Sequence, residues 1–145
     1  MSEVDTFDIL NRLVVLHHRS LAVYLNYAQP AWKRGEEKAK QVLELIAVDE
    51  RSTVDRLSAM IADAAHNVRH GAFPMAYTGY HDLDFDFLLG KLIENQQDKI
   101  LQIQESLDLV STEPRAKAAV EEALGAAKGH LQSLKDLQKP NLTVG

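Results

Sequence analysis

Histidine and glutamate side chains stand in stretches of the chain where apolar residues otherwise recur every three or four positions. His17 lies in the first such stretch, Glu50 in the second and His130 in the fourth, while the third offers Glu94 or, on its cleaner stripe, Gln96. Because unpaired carboxylates and imidazoles are costly to bury, such side chains need hydrogen bonds, each other or a metal ion. Imidazole nitrogen and carboxylate oxygen together suit iron, manganese or zinc. A metal site is therefore one interpretation of the pattern.

These positions fall at a similar depth along their helices. His17 precedes Pro30 by 13 residues and Glu50 follows Gly35 by 15 residues. In the second pair of helices, Glu94 precedes Ser111 by 17 residues and His130 follows Pro114 by 16 residues. Because each pair runs away from a shared turn, antiparallel packing brings its two members side by side. The spacing predicts convergence on one point inside the protein.

Each of these residues also has a structural explanation. A single inward-facing histidine, such as His17 or His130, is more often a hydrogen-bonded core residue than a metal ligand. Glu50 can lie at the margin of the helices and pair with Arg51, with Arg56 or with a neighbouring helix. Metal binding and internal pairing are both open on these residues alone.

The apolar stripes predict four long helices, over about residues 4–29, 36–66, 83–110 and 115–138. Pro30 and Pro114 mark breaks, since the proline ring cannot sit inside a helix. Residues 67–82 contain two glycines and a proline and are predicted to be at most briefly helical. So long a connection carries the chain from one end of a bundle to the other. We expect an all-α four-helix bundle of two antiparallel hairpins joined by a crossover, with residues 1–140 as one domain and 141–145 as a tail.

Composition narrows the classes of function. A chain of 145 residues is about one domain. It has no cysteine, which excludes disulfides, thiolate nucleophiles, iron–sulfur clusters and cysteine zinc sites. A net charge of −5 gives no electrostatic reason to bind nucleic acid or anionic lipid. No stretch approaches the ~20 apolar residues of a membrane span and no signal peptide is evident. We expect a cytoplasmic protein with neither a nucleic-acid nor a membrane partner.

Three short segments carry a family resemblance. Residues 49–57 read DERSTVDRL, residues 129–131 read GHL, and Leu10-Asn11 are followed by His17 and Tyr24. In these segments the chain resembles the ferritin-like superfamily, and bacterioferritin most closely, across all four helices. The resemblance implies a ferritin-like four-helix bundle in which Glu-x-x-His segments on the second and fourth helices contribute to a two-iron centre.

The chain departs from that family pattern at several ligand positions. Glu50 stands at the bridging glutamate of the second helix, but Thr53 stands at its partner histidine. His130 is kept, whereas the glutamate three residues earlier is Ala127, and His17 replaces the glutamate of the first helix. The family pattern has six metal ligands, and the resemblance leaves a predicted set of four in this chain: His17, Glu50, Glu94 and His130. This set suits a single iron or another divalent transition metal better than two irons.

Two functions follow from these predictions. In the first, the four side chains hold a metal ion that reacts with oxygen or peroxide. In the second, the bundle has lost its metal site and acts as a non-catalytic, dimeric structural or binding module. No haem is expected, because Arg51 stands where the resemblance places the haem-binding methionine. We expect a homodimer, since the resemblance implies pairing along the first two helices and the crossover is rich in aromatic residues.

Overall fold

The computed structural model describes residues 5–30, 32–80 and 83–138. These ranges contain no strand, and their α-helices are α1 (Thr6–His18), α2 (Leu21–Ala28), α3 (Glu37–Asp63), α4 (Phe85–Leu109) and α5 (Pro114–Gln138). The predicted all-α class is confirmed. The predicted helix start at residue 4, the end of the predicted crossover at residues 81–82 and the predicted tail at 141–145 lie outside the described residues. Within those ranges, no helix has the length and apolar character needed to span a membrane.

The first predicted helix is two helices, and the prediction of one continuous helix over residues 4–29 is wrong at Ser20. The backbone of Ser20 is extended, with φ −66° and ψ 155°, and its hydroxyl accepts a hydrogen bond from the amide of Val23 at 3.2 Å. A serine in this position satisfies an amide that the new helix leaves open. Helix α1 therefore ends at His18, and α2 continues along the same side of α3.

Two apolar clusters, one at each end of the molecule, establish the topology. One cluster joins the N-terminal part of α1 to the C-terminal parts of α3 and α4 and to the N-terminal part of α5. The other joins α2 to the N-terminal parts of α3 and α4 and to the C-terminal part of α5. Helices α3 and α4 therefore run parallel, while α1–α2 opposes α3 and α5 opposes α4. The five α-helices of the described ranges fill four positions of a bundle.

The crossover packs along the outside of this bundle. A 3₁₀ helix, Met75–Tyr80, occupies its second half. Phe73, Tyr77 and Tyr80 are half-buried against the α2 end of the core, and Tyr24 meets Phe73 edge to face at 5.0 Å between ring centroids. These aromatic residues of the crossover are thus partly buried against the core of their own chain.

Gly71 lets the crossover approach α1 closely. Its φ is +75°, and a Cβ built on it would lie 2.9 Å from Cγ1 of Val15, a β-branched side chain with little freedom to move. We expect Gly71→Ala to lower the free energy of unfolding by about 2–3 kcal/mol. Gly35→Ala is the matched control, because Gly35 also has a positive φ (+91°) but no atom within 4 Å of the added Cβ. Urea denaturation should give a loss of only about 1–2 kcal/mol for that control, and equal losses would contradict the close approach.

Candidate functional site

Three of the four predicted ligands lie inside the bundle. The side chains of His17, Glu50 and His130 are buried, and they line one small gap together with Thr53 and Ala127. The gap is too narrow to hold a water molecule. The two histidines and Glu50 therefore lie around one gap, while their role as metal ligands stays a prediction.

Glu94 does not join them. Its side chain is 70% exposed, and one carboxylate oxygen lies 3.5 Å from Nζ of Lys91 on the surface of α4. Gln96, from the cleaner stripe, is buried instead and donates a hydrogen bond from Nε2 to the carbonyl of Ala127 at 2.8 Å. The prediction that Glu94 faces the core is wrong, because the inner face of α4 follows Leu92, Gln96 and Ile103 and leaves Glu94 on the opposite side.

A lysine that the sequence analysis did not select reaches the centre of the bundle. Lys99 forms an ion pair with Glu50, and each side chain is only 2% exposed. Ser20 donates a hydrogen bond from its hydroxyl to the second carboxylate oxygen of Glu50. The break between α1 and α2 therefore serves this centre, since it brings the Ser20 hydroxyl to the buried carboxylate.

The Lys99–Glu50 pair carries no net charge whichever group holds the shared proton. Burial lowers the pKa of Lys99 to about 7, whereas a carboxylate in contact favours the protonated ammonium. An isolated charge in this position would be strongly unfavourable. The pairing therefore allows both ionisable groups to stay in the interior.

His17 is neutral in this environment. Burial, followed by the positive charge of Lys99, lowers its pKa to about 3. Its Nδ1 lies 2.8 Å from the carbonyl oxygen of Leu13, so Nδ1 donates the hydrogen bond and Nε2 retains its lone pair. A histidine of this kind is fixed in orientation and able to accept a hydrogen bond or bind a cation.

His130 lies across the same centre but has an acidic partner. Its Nε2 is 2.8 Å from a carboxylate oxygen of Asp49, which is half-exposed. Burial nevertheless lowers the pKa of His130, Asp49 acts in the opposite direction, and the charge of Lys99 contributes to the lowering. Because the charge of Lys99 acts on both histidines and Lys99 contacts Glu50, its ammonium lies near His17, His130 and Glu50.

The donor set does not fit a two-iron centre. Such a centre needs several carboxylates to balance the metal charge. Neither Thr53 nor Ala127 has a carboxylate, and the carboxylate of Glu94 is exposed on the surface. The buried carboxylate is already paired with an ammonium, which would repel a metal cation at the same oxygen atoms. Across residues 5–30, 32–80 and 83–138, no three histidine, aspartate or glutamate side chains are grouped to hold a metal ion.

The sequence held a signal for both missed residues. Lys99 lies three positions after Gln96 and four before Ile103, so it continues the buried stripe of α4. Ser20 precedes the apolar run that begins at Leu21, as helix-capping serines do. A lysine is usually assigned to the surface because an unpaired buried ammonium is so costly, and its partner Glu50 is 49 residues away in the chain.

Comparisons with known proteins place the fold. No protein-family model matches the chain, and no curated protein matches it. Among solved structures, the chain is similar to a dodecameric thioferritin, the bacterioferritin-related protein from Bacteroides fragilis. The TM-score is 0.72 at 18% sequence identity, over 92% of this chain and 86% of that one. The described helices, their order and this likeness together show that the chain has the ferritin-like fold.

Proposed function

We propose that the chain is a ferritin-like bundle in which the Lys99–Glu50 pair takes the place of a metal centre, and that it acts as a structural or binding module. The observation that carries this proposal is the ion pair itself, with both side chains 2% exposed at the point where His17 and His130 converge. An internal ammonium balances the buried carboxylate as a metal cation would, without open coordination positions for oxygen or peroxide.

A second candidate function is the binding, by His17, Glu50 and His130, of a single divalent ion such as iron that then reacts with oxygen or peroxide. Two observations favour it: the three side chains line one gap, and the lone pair on Nε2 of His17 is available. This candidate requires a metal ion to displace Lys99 from Glu50. The two candidates therefore differ in whether the wild-type chain binds and oxidises Fe(II).

Oxidation of Fe(II) separates the two candidates. We expect that anaerobic Fe(II), mixed with the protein and then exposed to air, is oxidised at the rate measured in buffer alone. Oxidation faster than in buffer, abolished in Glu50→Gln but retained in Glu94→Gln, would overturn the proposal and support the metal site. Glu94→Gln is the matched control because it removes a carboxylate on the surface of α4.

We also propose that the chain forms a homodimer through the outer face of α3. Leu45 and Val48 lie one turn apart there and are 61% and 57% exposed, an apolar surface of the kind that association buries. Light scattering should give a dimer that Val48→Asp converts to a monomer. The control Leu101→Asp, at a site 59% exposed on α4, should leave the dimer intact. A monomeric wild type would contradict this proposal, as would a larger assembly like the dodecamer of the solved neighbour.

A further inference from the structure

A cleft of about 640 Å³ lies beside the bundle, between α1, α4 and the crossover. This volume is within the range of pockets that enclose small organic molecules. Ser20 is part of its lining and separates it from the buried Glu50. The cleft is distinct from the narrow gap that His17 and His130 line.

Positive charge is concentrated in this cleft. Arg12, Arg19 and Arg69 line it, and Asp98 is its one acidic lining residue. A side-chain amide of Gln102 already donates a hydrogen bond to Asp98 at 2.7 Å. None of the three arginines forms an ion pair with a carboxylate in the described part of the chain. Three unpaired guanidinium groups in a protein of net charge −5 make this a local site for anions.

The walls of the cleft are held in place by hydrogen bonds. The amide of Arg69 donates to the side-chain oxygen of Asn11 at 2.8 Å, which ties the crossover to α1. Across the cleft, Asn95 accepts from the amide of Leu21 at 3.3 Å and donates to the hydroxyl of Tyr77 at 3.4 Å. Arg19 is near enough to Tyr77 to counteract the rise in the pKa of its hydroxyl that burial causes. Polar groups are thus fixed on both sides of the opening.

We propose that this cleft binds a small organic anion that carries phosphate or carboxylate groups. Guanidinium groups bind both kinds of group through paired hydrogen bonds. The apolar side chains of Val15, Leu16 and Pro74 line the same cleft and supply a surface for the organic part of the ligand. The volume is larger than an inorganic ion requires, so the ligand is an organic molecule that carries one or more phosphate or carboxylate groups.

Calorimetric titration of the full chain with three probes tests this proposal: adenosine 5′-monophosphate, citrate and inorganic pyrophosphate. We expect saturable one-to-one binding of one of the two organic probes, with pyrophosphate weaker. Arg19→Gln should weaken that binding about tenfold or more. Arg51→Gln, at an exposed position on α3 outside the cleft, should leave it unchanged.

A second variant and a second readout keep the test decisive if Arg19→Gln fails to fold. Arg12→Gln replaces an exposed side chain of the same cleft and should weaken binding in the same direction. Nuclear magnetic resonance should show probe-dependent shifts of the amides of Arg69 and Gly71. The proposal is overturned if no probe binds saturably, if Arg51→Gln weakens binding as much as the cleft variants do, or if the shifted amides lie elsewhere.

Discussion

Lys99→Met is expected to lower the free energy of unfolding by about 3–5 kcal/mol, because it leaves the carboxylate of Glu50 buried without its cation. Methionine keeps the unbranched shape of the lysine side chain, is one heavy atom shorter, and removes the charge that pairs with Glu50. Glu50 retains the hydrogen bond from Ser20, but one neutral donor does not offset the loss of an ion pair in the interior. Urea denaturation at neutral pH measures the difference.

Lys91→Met is the matched control on the same helix. Lys91 is part-exposed and lies 3.5 Å from Glu94, so removing its charge should change stability by less than about 1 kcal/mol. The double variant Glu50→Gln/Lys99→Met should recover most of the stability that Lys99→Met loses, since it removes both charges together. A Lys99→Met protein as stable as Lys91→Met, or a double variant no more stable than Lys99→Met, would contradict the pairing.

Acid should destabilise the protein through His17. Its pKa is about 3 in the folded chain and 6.5 in an unfolded one, so between these values the unfolded chain binds a proton that the folded chain does not. Stability contributed by neutral His17 is therefore fully present above about pH 6.5 and is lost as the pH falls to about 3. The total loss is on the order of 4–5 kcal/mol.

The contribution of His17 is isolated by comparing variants. Between neutral pH and about pH 4.5, the free energy of unfolding should fall in both proteins. The fall in His17→Gln should be smaller than the fall in the wild type, and the difference between the two should be roughly 2–3 kcal/mol. Carboxylates also titrate in this range, but their effect is common to both proteins. A His17→Gln profile parallel to that of the wild type would show that His17 is protonated in the folded chain.

The sequence predicted the helices and the inward side chains well because both depend on local spacing. The apolar stripes gave the bounds of α3, α4 and α5 to within three residues at each end. The same stripes identified the burial of His17, Glu50 and His130. The length of the crossover also correctly predicted that α3 and α4 run parallel. Parallel neighbouring helices need a connection long enough to carry the chain from the end of α3 back to the end at which α3 begins.

The chemistry of the centre was harder to predict because it depends on contacts between distant residues. Lys99 is buried only because Glu50 faces it from another helix, and no local pattern reveals that pairing. The hydrogen bond from Ser20 to Glu50 likewise joins residues 30 positions apart, although the helix cap at Ser20 has a local signal. The distance of Glu94 from the turn favoured it over Gln96. These two residues are two positions apart, so their side chains point about 200° apart around the helix axis and lie on different faces of α4.

Whether Lys99 takes the place of a metal ion at Glu50 can be measured through the effect of metal ions on the unfolding free energy of the wild-type protein. Urea denaturation would be followed with a chelator present and, separately, with excess Fe(II) under anaerobic conditions, Mn(II) or Zn(II). If the ammonium of Lys99 already balances Glu50, the unfolding free energy is the same in every case. A metal-dependent gain of about 2.7 kcal/mol at one hundred times the dissociation constant, if it disappears in Glu50→Gln, would show instead that a metal ion displaces Lys99 from Glu50.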